Sequence, residues 1–212
     1  MQSYTKMRST RHRDVVMKVI PGHFVTPNSH INYYIDMTTM KTRQNEAMAA
    51  AHAMSGDYVI STIVDTIVCM DGMEVIGAYM AEELTRAGIM SMNAHKTIYI
   101  MTPEYDLSGQ MIVRENNLMM VRGKHCLLLL ASTTTGATIA RAGESINYYG
   151  GTIVGISAIY SAVSKVQDYP IHALYTNADL PDYKSYAPGK CKMCQSGQRI
   201  DAICNGFGYS PL

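Results

Sequence analysis

The chain has no tryptophan, no long apolar run and almost no net charge. Its 18 Lys and Arg against 17 Asp and Glu leave a formal +1, so bulk electrostatics select neither a nucleic-acid nor a membrane partner. No apolar stretch approaches the roughly 18–20 residues that span a bilayer. The opening MQSYTKMRSTRHR lacks the apolar centre of a secretory signal, and a cytoplasmic location is expected. Five cysteines are an odd number and read as thiols rather than a disulfide framework. No Gly-x-Gly-x-x-Gly follows any strand-like segment, which excludes the dinucleotide fingerprint. With 17 methionines, the core draws on adaptable side chains. At 212 residues one domain with a substantial core is expected.

The stretch KHCLLLLASTTTGATIARA, residues 124–142, is the most informative. Its run Cys126 to Leu130 is too short for a free-standing helix and suits a strand buried on both faces of a parallel sheet. Small hydroxyl residues around Gly136 follow, and Ile139 opens a helix-compatible segment. Strand, small-residue loop and helix start together make an anion site. The first helical N–H groups lack internal partners, the helix dipole is positive there, and Thr hydroxyls donate further bonds. The same residues also suit a helix cap with no ligand.

Residues 4–20 set Lys6, Arg8, Arg11, Arg13 and Lys18 among apolar residues, predicting an amphipathic helix with a basic face, ended by Pro21-Gly22. Two short strands follow around a Pro27-Asn28-Ser29 turn. Residues 39–55 predict a helix from composition, and 65–70 a strand. Asp71-Gly72-Met73-Glu74 is a turn, 75–87 a helix closed by Gly88, and 96–101 the next strand. With 126–160 as a second strand–helix–strand unit, the pattern predicts an α/β fold: a Rossmann-like parallel sheet flanked by helices. Ligands of such sheets sit at the carboxyl ends of the strands, where both loops fall. Residues 102–117 read as a hairpin or arm, 171–176 as a last core strand, and 179–188 as loop. Cys191, Cys194 and Cys204 do not complete a tetrahedral metal site; a fourth ligand would have to be a distant histidine such as His172 or His125, and inert tail thiols or a redox pair are the other readings. No metal ligand is assigned, and the tail over 200–212 is expected to dock on the body.

LLLLASTTTGAT resembles the phosphoribosyl-diphosphate loop of type I phosphoribosyltransferases, and the whole chain is most similar to the orotate phosphoribosyltransferase family. The resemblance implies that family's fold with a small N-terminal hood: residues 1–36 as helix and hood, 37–190 as core, 191–212 as docked tail. It also implies a homodimer. It places Thr133, Thr134, Thr135, Gly136, Ala137 and Thr138 on a ligand's 5′-phosphate, Asp71, Gly72, Met73 and Glu74 at the diphosphate loop, and Tyr33 and Tyr34 in the base pocket. Strand packing for the two tyrosines, and helix capping for Asp71 and Glu74, are the simpler readings.

The departures from the family pattern carry as much information. The acidic pair expected at the strand end is Leu130 and Ala131, and the basic group of the diphosphate loop is replaced by Met73 and Glu74. The orotate-binding lysine has no counterpart near Pro27-Asn28, and no Lys or Arg lies between Lys96 and Arg114 in the arm. Losing one preorganised charge typically costs ~3–4 kcal/mol in a transition state that expels diphosphate. The expectation is an orotate phosphoribosyltransferase-like protein that binds a nucleotide or phosphoribosyl ligand with weak or absent catalysis. The alternatives are an active transferase for another base, which would need Mg2+ and cations from Arg141, Arg122, Lys124 or the N-terminal basic segment, and a scaffold without ligand.

Overall fold

The apolar run at 126–130 alternates between two separate hydrophobic clusters. Leu127 and Leu129 enter one, while Cys126, Leu128 and Leu130 enter the other. A strand with no polar face must be covered on both sides, and this is the centre of the molecule. The computed structural model describes residues 4–9, 11–86, 88, 91–94 and 96–212. In chain order its elements are β1 (Thr5–Arg8), β2 (Val16–Val25), β3 (His30–Asp36), α1 (Thr38–Thr42), α2 (Gln44–Ser55), β4 (Thr66–Cys69), α3 (Glu74–Arg86) and β5 (Tyr99–Met101). There follow β6 (Glu104–Tyr105), β7 (Met111–Ile112), a 3-10 turn at Glu115–Met120, β8 (His125–Thr133), α4 (Ala137–Tyr148) and β9 (Thr152–Ser161). The chain ends through β10 (Lys165–Val166), β11 (Tyr169–Thr176), β12 (Ser185–Tyr186), α5 (Lys192–Gln195), β13 (Ala202–Asn205) and β14 (Gly208–Pro211).

The main sheet runs β10-β11-β9-β8-β4-β5, parallel except for β10. Ala47, Ala50 and Met54 of α2 and Ile76, Met80 and Leu84 of α3 cover one face. Ile139, Ala142 and Ile146 of α4 cover the other. This is the α/β architecture expected from the alternating units. Ala87, assigned above to the end of the third helix, lies outside the described residues.

A second sheet, β12-β3-β2-β13-β14 with β1 on β2, forms the hood. It corrects the helix assigned to 4–20, which is a pair of antiparallel strands. The reason is the period. Val15, Met17 and Val19 are buried while Val16 and Lys18 are half-exposed, an alternation of two written in β-branched residues. Lys18 is not on a solvated face either; its Nζ donates to Thr39 Oγ1 at 2.7 Å. Pro21-Gly22 does not end an element but lies inside β2, at a register shift between Pro21 and Phe24. A bulge is where a strand tolerates a proline without an N–H. The single helix at 39–55 is likewise two helices, divided at Arg43, which is extended (φ −88°, ψ 123°). Helix propensity alone does not register such a one-residue break. The tail pairs β13 in parallel with β2, and Asp201 Oδ2 accepts from the His23 amide at 2.7 Å.

Gly77 of α3 lets the helix lie against β4: a Cβ there would meet Cys69 Sγ at 2.3 Å. Gly77→Ala is therefore expected to destabilise by about 1–3 kcal/mol, despite alanine's better helix propensity. Cys69→Ala in the same chain returns most of that loss. Urea unfolding of both singles and the double reads the coupling, and strict additivity would remove the packing account.

Candidate functional site

Both loops leave the main sheet at strand carboxyl ends, β4 into Asp71–Glu74 and β8 into Thr134–Gly136. They open onto one cavity of about 480 Å³, which the hood roofs. Thr133, Thr134, Thr135, Ala137 and Thr138 line it, facing Asp71, Gly72 and Glu74 across the floor. Tyr33 and Tyr34 reach it from β3. The structure thus gathers most of the residues singled out from the sequence around one space, and separates two of them. Met73 is fully buried in the hydrophobic cluster that covers one sheet face, because the turn aims its apolar side chain inward. Gly136 is buried behind the loop rather than on the cavity wall.

Gly136 is nonetheless what shapes the loop. It caps α4 at φ +77°, the left-handed region, and a Cβ would sit 2.2 Å from Val166 Cγ2. The strand runs further than expected, to Thr133, and the helix begins earlier, at Ala137. Two of the loop's hydroxyls accept from its own amides: Gly136 N–H donates to Thr133 Oγ1 at 3.2 Å, and Ala137 N–H donates to Thr135 Oγ1 at 3.4 Å. These bonds occupy the Gly136 and Ala137 amides within the loop itself. Ala137 and Thr138 of the first turn line the cavity, so the positive end of the helix borders it.

The acidic-pair positions behave differently from each other. Leu130 is buried in the core under α4, while Ala131 lines the cavity. The cavity's cation comes from elsewhere. Lys41 of α1 lies against the Asp71–Glu74 turn, with Nζ 3.6 Å from where a Gly72 Cβ would be. Its ammonium donates to Asp71 O at 2.7 Å and Gly206 O at 2.6 Å, which leaves a third donor without a protein partner among the described residues. Burial lowers the Lys41 pKa, while Asp71, Glu74 and Asp36 act to raise it. Sequence reasoning missed Lys41 because nothing in its local pattern separates it from an ordinary helical lysine. The four cation sources named above do not line the cavity. Arg141 approaches Gly109 of the arm, Arg122 lies by Gly150, Lys124 stands over Tyr99, and the N-terminal segment is in the hood.

The arm is the β6–β7 hairpin. Arg114 is engaged at its base, Nε donating to Glu104 Oε2 at 2.8 Å and a terminal nitrogen donating to Oε1. Tyr34 combines two roles: its ring packs 5.7 Å from Phe24 and 4.9 Å from Tyr209 while it lines the cavity. Of the distant metal-ligand candidates, His125 pairs with Asp65 and His172 with Asp57. Cys204 is buried on β13 beside the cavity, and burial pushes its thiol up to about 11.

No protein-family model matches the chain. In sequence it is similar to orotate phosphoribosyltransferase of Chlorobaculum parvum, 23% identical over 188 residues, covering 87% of this chain and 88% of that protein. Among solved structures it is similar to adenine phosphoribosyltransferase of Leishmania donovani (TM-score 0.53, 13% identity, 74% of this chain and 77% of the other). It is also similar to orotate phosphoribosyltransferase of Aeropyrum pernix (TM-score 0.52, 16% identity, 77% and 90%). The chain has the type I phosphoribosyltransferase fold, and its sequence resembles the orotate enzymes.

Burial raises the Asp71 carboxyl above its ordinary value, with Lys41 pulling down and Glu74 pushing up. The folded state therefore holds this proton to higher pH than the unfolded chain does. Stability should fall as pH rises from ~4, the unfolded value, through the raised one. Asp71→Asn keeps a side chain that tolerates the φ of +56° and should flatten that slope. Denaturant midpoints across this range read the difference, and superimposable profiles for the two proteins would refute it.

Proposed function

We propose that this protein holds a phosphorylated ribose, as a nucleoside 5′-monophosphate or phosphoribosyl diphosphate, in the cavity between β4, β8 and the hood. The observation that supports this reading is the convergence of the Thr134–Thr138 loop, the Asp71–Glu74 turn and Lys41 on one space. The 5′-phosphate sits at the start of α4, where Thr134 and Thr138 hydroxyls and first-turn amides donate to it. Lys41 offers its remaining N–H to the ligand's anionic face near Gly72. The Tyr33 ring bounds the side where a base projects.

Catalysis by this site is weak or absent. Transfer of phosphoribose needs charge that develops at C1 and on the leaving diphosphate to be met by fixed groups. Leu130 and Ala131 supply no carboxylate beneath the ribose. The arm supplies no free cation, since its Arg114 is paired with Glu104. A charged base such as orotate would also find no cation beyond Lys41, which the phosphoribosyl group engages. One observation favours a second reading, an active transferase for an uncharged base: the cavity has a cation in Lys41 and hard oxygen donors in Asp71 and Glu74. Only that reading requires Mg2+. Location in the cytoplasm and a homodimeric state accompany the proposal through the resemblance; among the described residues no helix is long and apolar enough to cross a membrane.

Calorimetry and thermal shift against ribose 5-phosphate, nucleoside monophosphates and phosphoribosyl diphosphate, with and without Mg2+, test both readings. At a ligand excess of ~100 Kd the linkage gain is ~2.7 kcal/mol, worth a rise of roughly 5–10 °C in a chain of this size. Lys41→Met should weaken binding about 10- to 100-fold, the worth of a charged hydrogen bond. Unphosphorylated ribose and nucleosides should give no shift. Absence of a shift with every phosphorylated ligand overturns the proposal, and Mg2+-dependent diphosphate release with a neutral base selects the second reading.

A further inference from the structure

Four side chains capable of binding a metal meet in the hood: His23, His30, Cys191 and Cys194, with one donor atom of each within 4.8 Å of all the others. They come from three elements and from opposite ends of the sequence. His23 lies in β2 at the register shift between Pro21 and Phe24 and is fully buried. A bulge re-aims side chains, and here both His23 and its neighbour Phe24 are turned inward. His30 opens β3 across the hairpin, paired with Val25. Cys191 precedes the single turn of α5, and Cys194 follows three residues on, which places both thiols on one side of the turn.

The sulfur–nitrogen spacing matches a tetrahedral ion. With metal–nitrogen bonds of ~2.0–2.1 Å and metal–sulfur bonds of ~2.3 Å, the edges of such a site are roughly 3.3–3.8 Å. Cys191 Sγ lies 3.6 Å from His23 Nε2, and Cys194 Sγ lies 3.6 Å from His23 Nε2 and 3.3 Å from His30 Nδ1. The two ring nitrogens, 2.9 Å apart, stand at hydrogen-bond distance and have to open slightly to admit the ion. The surroundings are arranged for a ligand histidine. His23 Nδ1 is 3.1 Å from Gln198 O, a contact that fixes the ring with its Nδ1 proton donated outward and Nε2 free as a lone pair for the metal. Gly197, at φ +77°, turns the chain after Cys194 so that this carbonyl arrives there, and Gln198 N–H donates to Met193 O at 2.9 Å to hold the turn.

We infer that His23, His30, Cys191 and Cys194 bind one zinc ion that clamps the C-terminal tail to the hood. Two thiolates and two imidazoles in tetrahedral array suit zinc, and four protein ligands leave no open position for chemistry, so the role is structural. Binding releases the two thiol protons to solvent as the thiolates form their bonds to the metal. The clamp lies next to β13, whose pairing with β2 carries Asn205, Gly206 and Phe207 to the cavity rim. The histidines are invisible to a spacing search because the hairpin that joins them lies some 160 positions before the cysteine pair.

Elemental analysis of the chain purified without chelator should find about one zinc per molecule, against under a tenth in Cys191→Ser, Cys194→Ser or His30→Ala. Cys126→Ala, in the core away from the cluster, should keep its zinc. If the ligand variants do not fold, the native chain answers alone: metal removed by a chelator and replaced by Co2+ should give the visible absorption of tetrahedral cobalt thiolate, and chelation should lower Tm reversibly. A native chain with neither zinc nor a cobalt spectrum overturns the inference. So does zinc that survives both cysteine substitutions, or a Cys191–Cys194 disulfide in protein purified under reducing conditions.

Discussion

The Lys41 ammonium is held by backbone carbonyls from two distant parts of the chain, Asp71 on the turn after β4 and Gly206 between β13 and β14. A charge taken out of water is costly unless acceptors meet it, and two carbonyls do so here. That requirement fixes the relative placement of core, hood and tail at the one spot where they share a cavity wall. Asp71 is drawn into the same constraint. It adopts a positive φ, and a Cβ on Gly206 would lie 2.7 Å from its Oδ1, so the tail turn can close on it only as glycine. The cavity is therefore defined by an electrostatic knot rather than by apolar packing alone.

The electrostatics of this site are redistributed relative to what its loop motif leads one to expect. Positions that carry acids in the resembled family are apolar, one of them sealed in the core. Positive charge arrives from α1, an element with no motif of its own. In the reading proposed above, such a site keeps the capacity to hold an anion, since backbone amides and hydroxyls are insensitive to side-chain replacement around them. In the same reading it lacks the fixed charges that discriminate a transition state from a ground state.

Much of the core was legible because β8 and β4 are buried on both faces and leave short apolar runs, with helix-forming segments between the strands. The Thr133–Thr138 loop was legible because a strand, a run of small hydroxyl residues and a helix start are contiguous in sequence. The hood was misread at its first element because five basic residues suggested a helical face, whereas the buried set Val15, Met17 and Val19 follows the period of a strand. Lys41 and His23 were illegible for a different reason. Each owes its importance to a partner far away in sequence, and neither a helical lysine nor a strand histidine differs locally from an ordinary one.

The parallel pairing of β13 with β2 gives the hood an unusual dependence. His23 and Asp201, whose backbones bond each other there, stand 178 positions apart. Closing so long a loop carries a large entropic cost that only the remainder of the fold can prepare for, by bringing both ends close beforehand. The roof over the cavity is thus the part of the fold that closes last: during synthesis the strands of the main sheet are all made before β13 arrives to complete the hood.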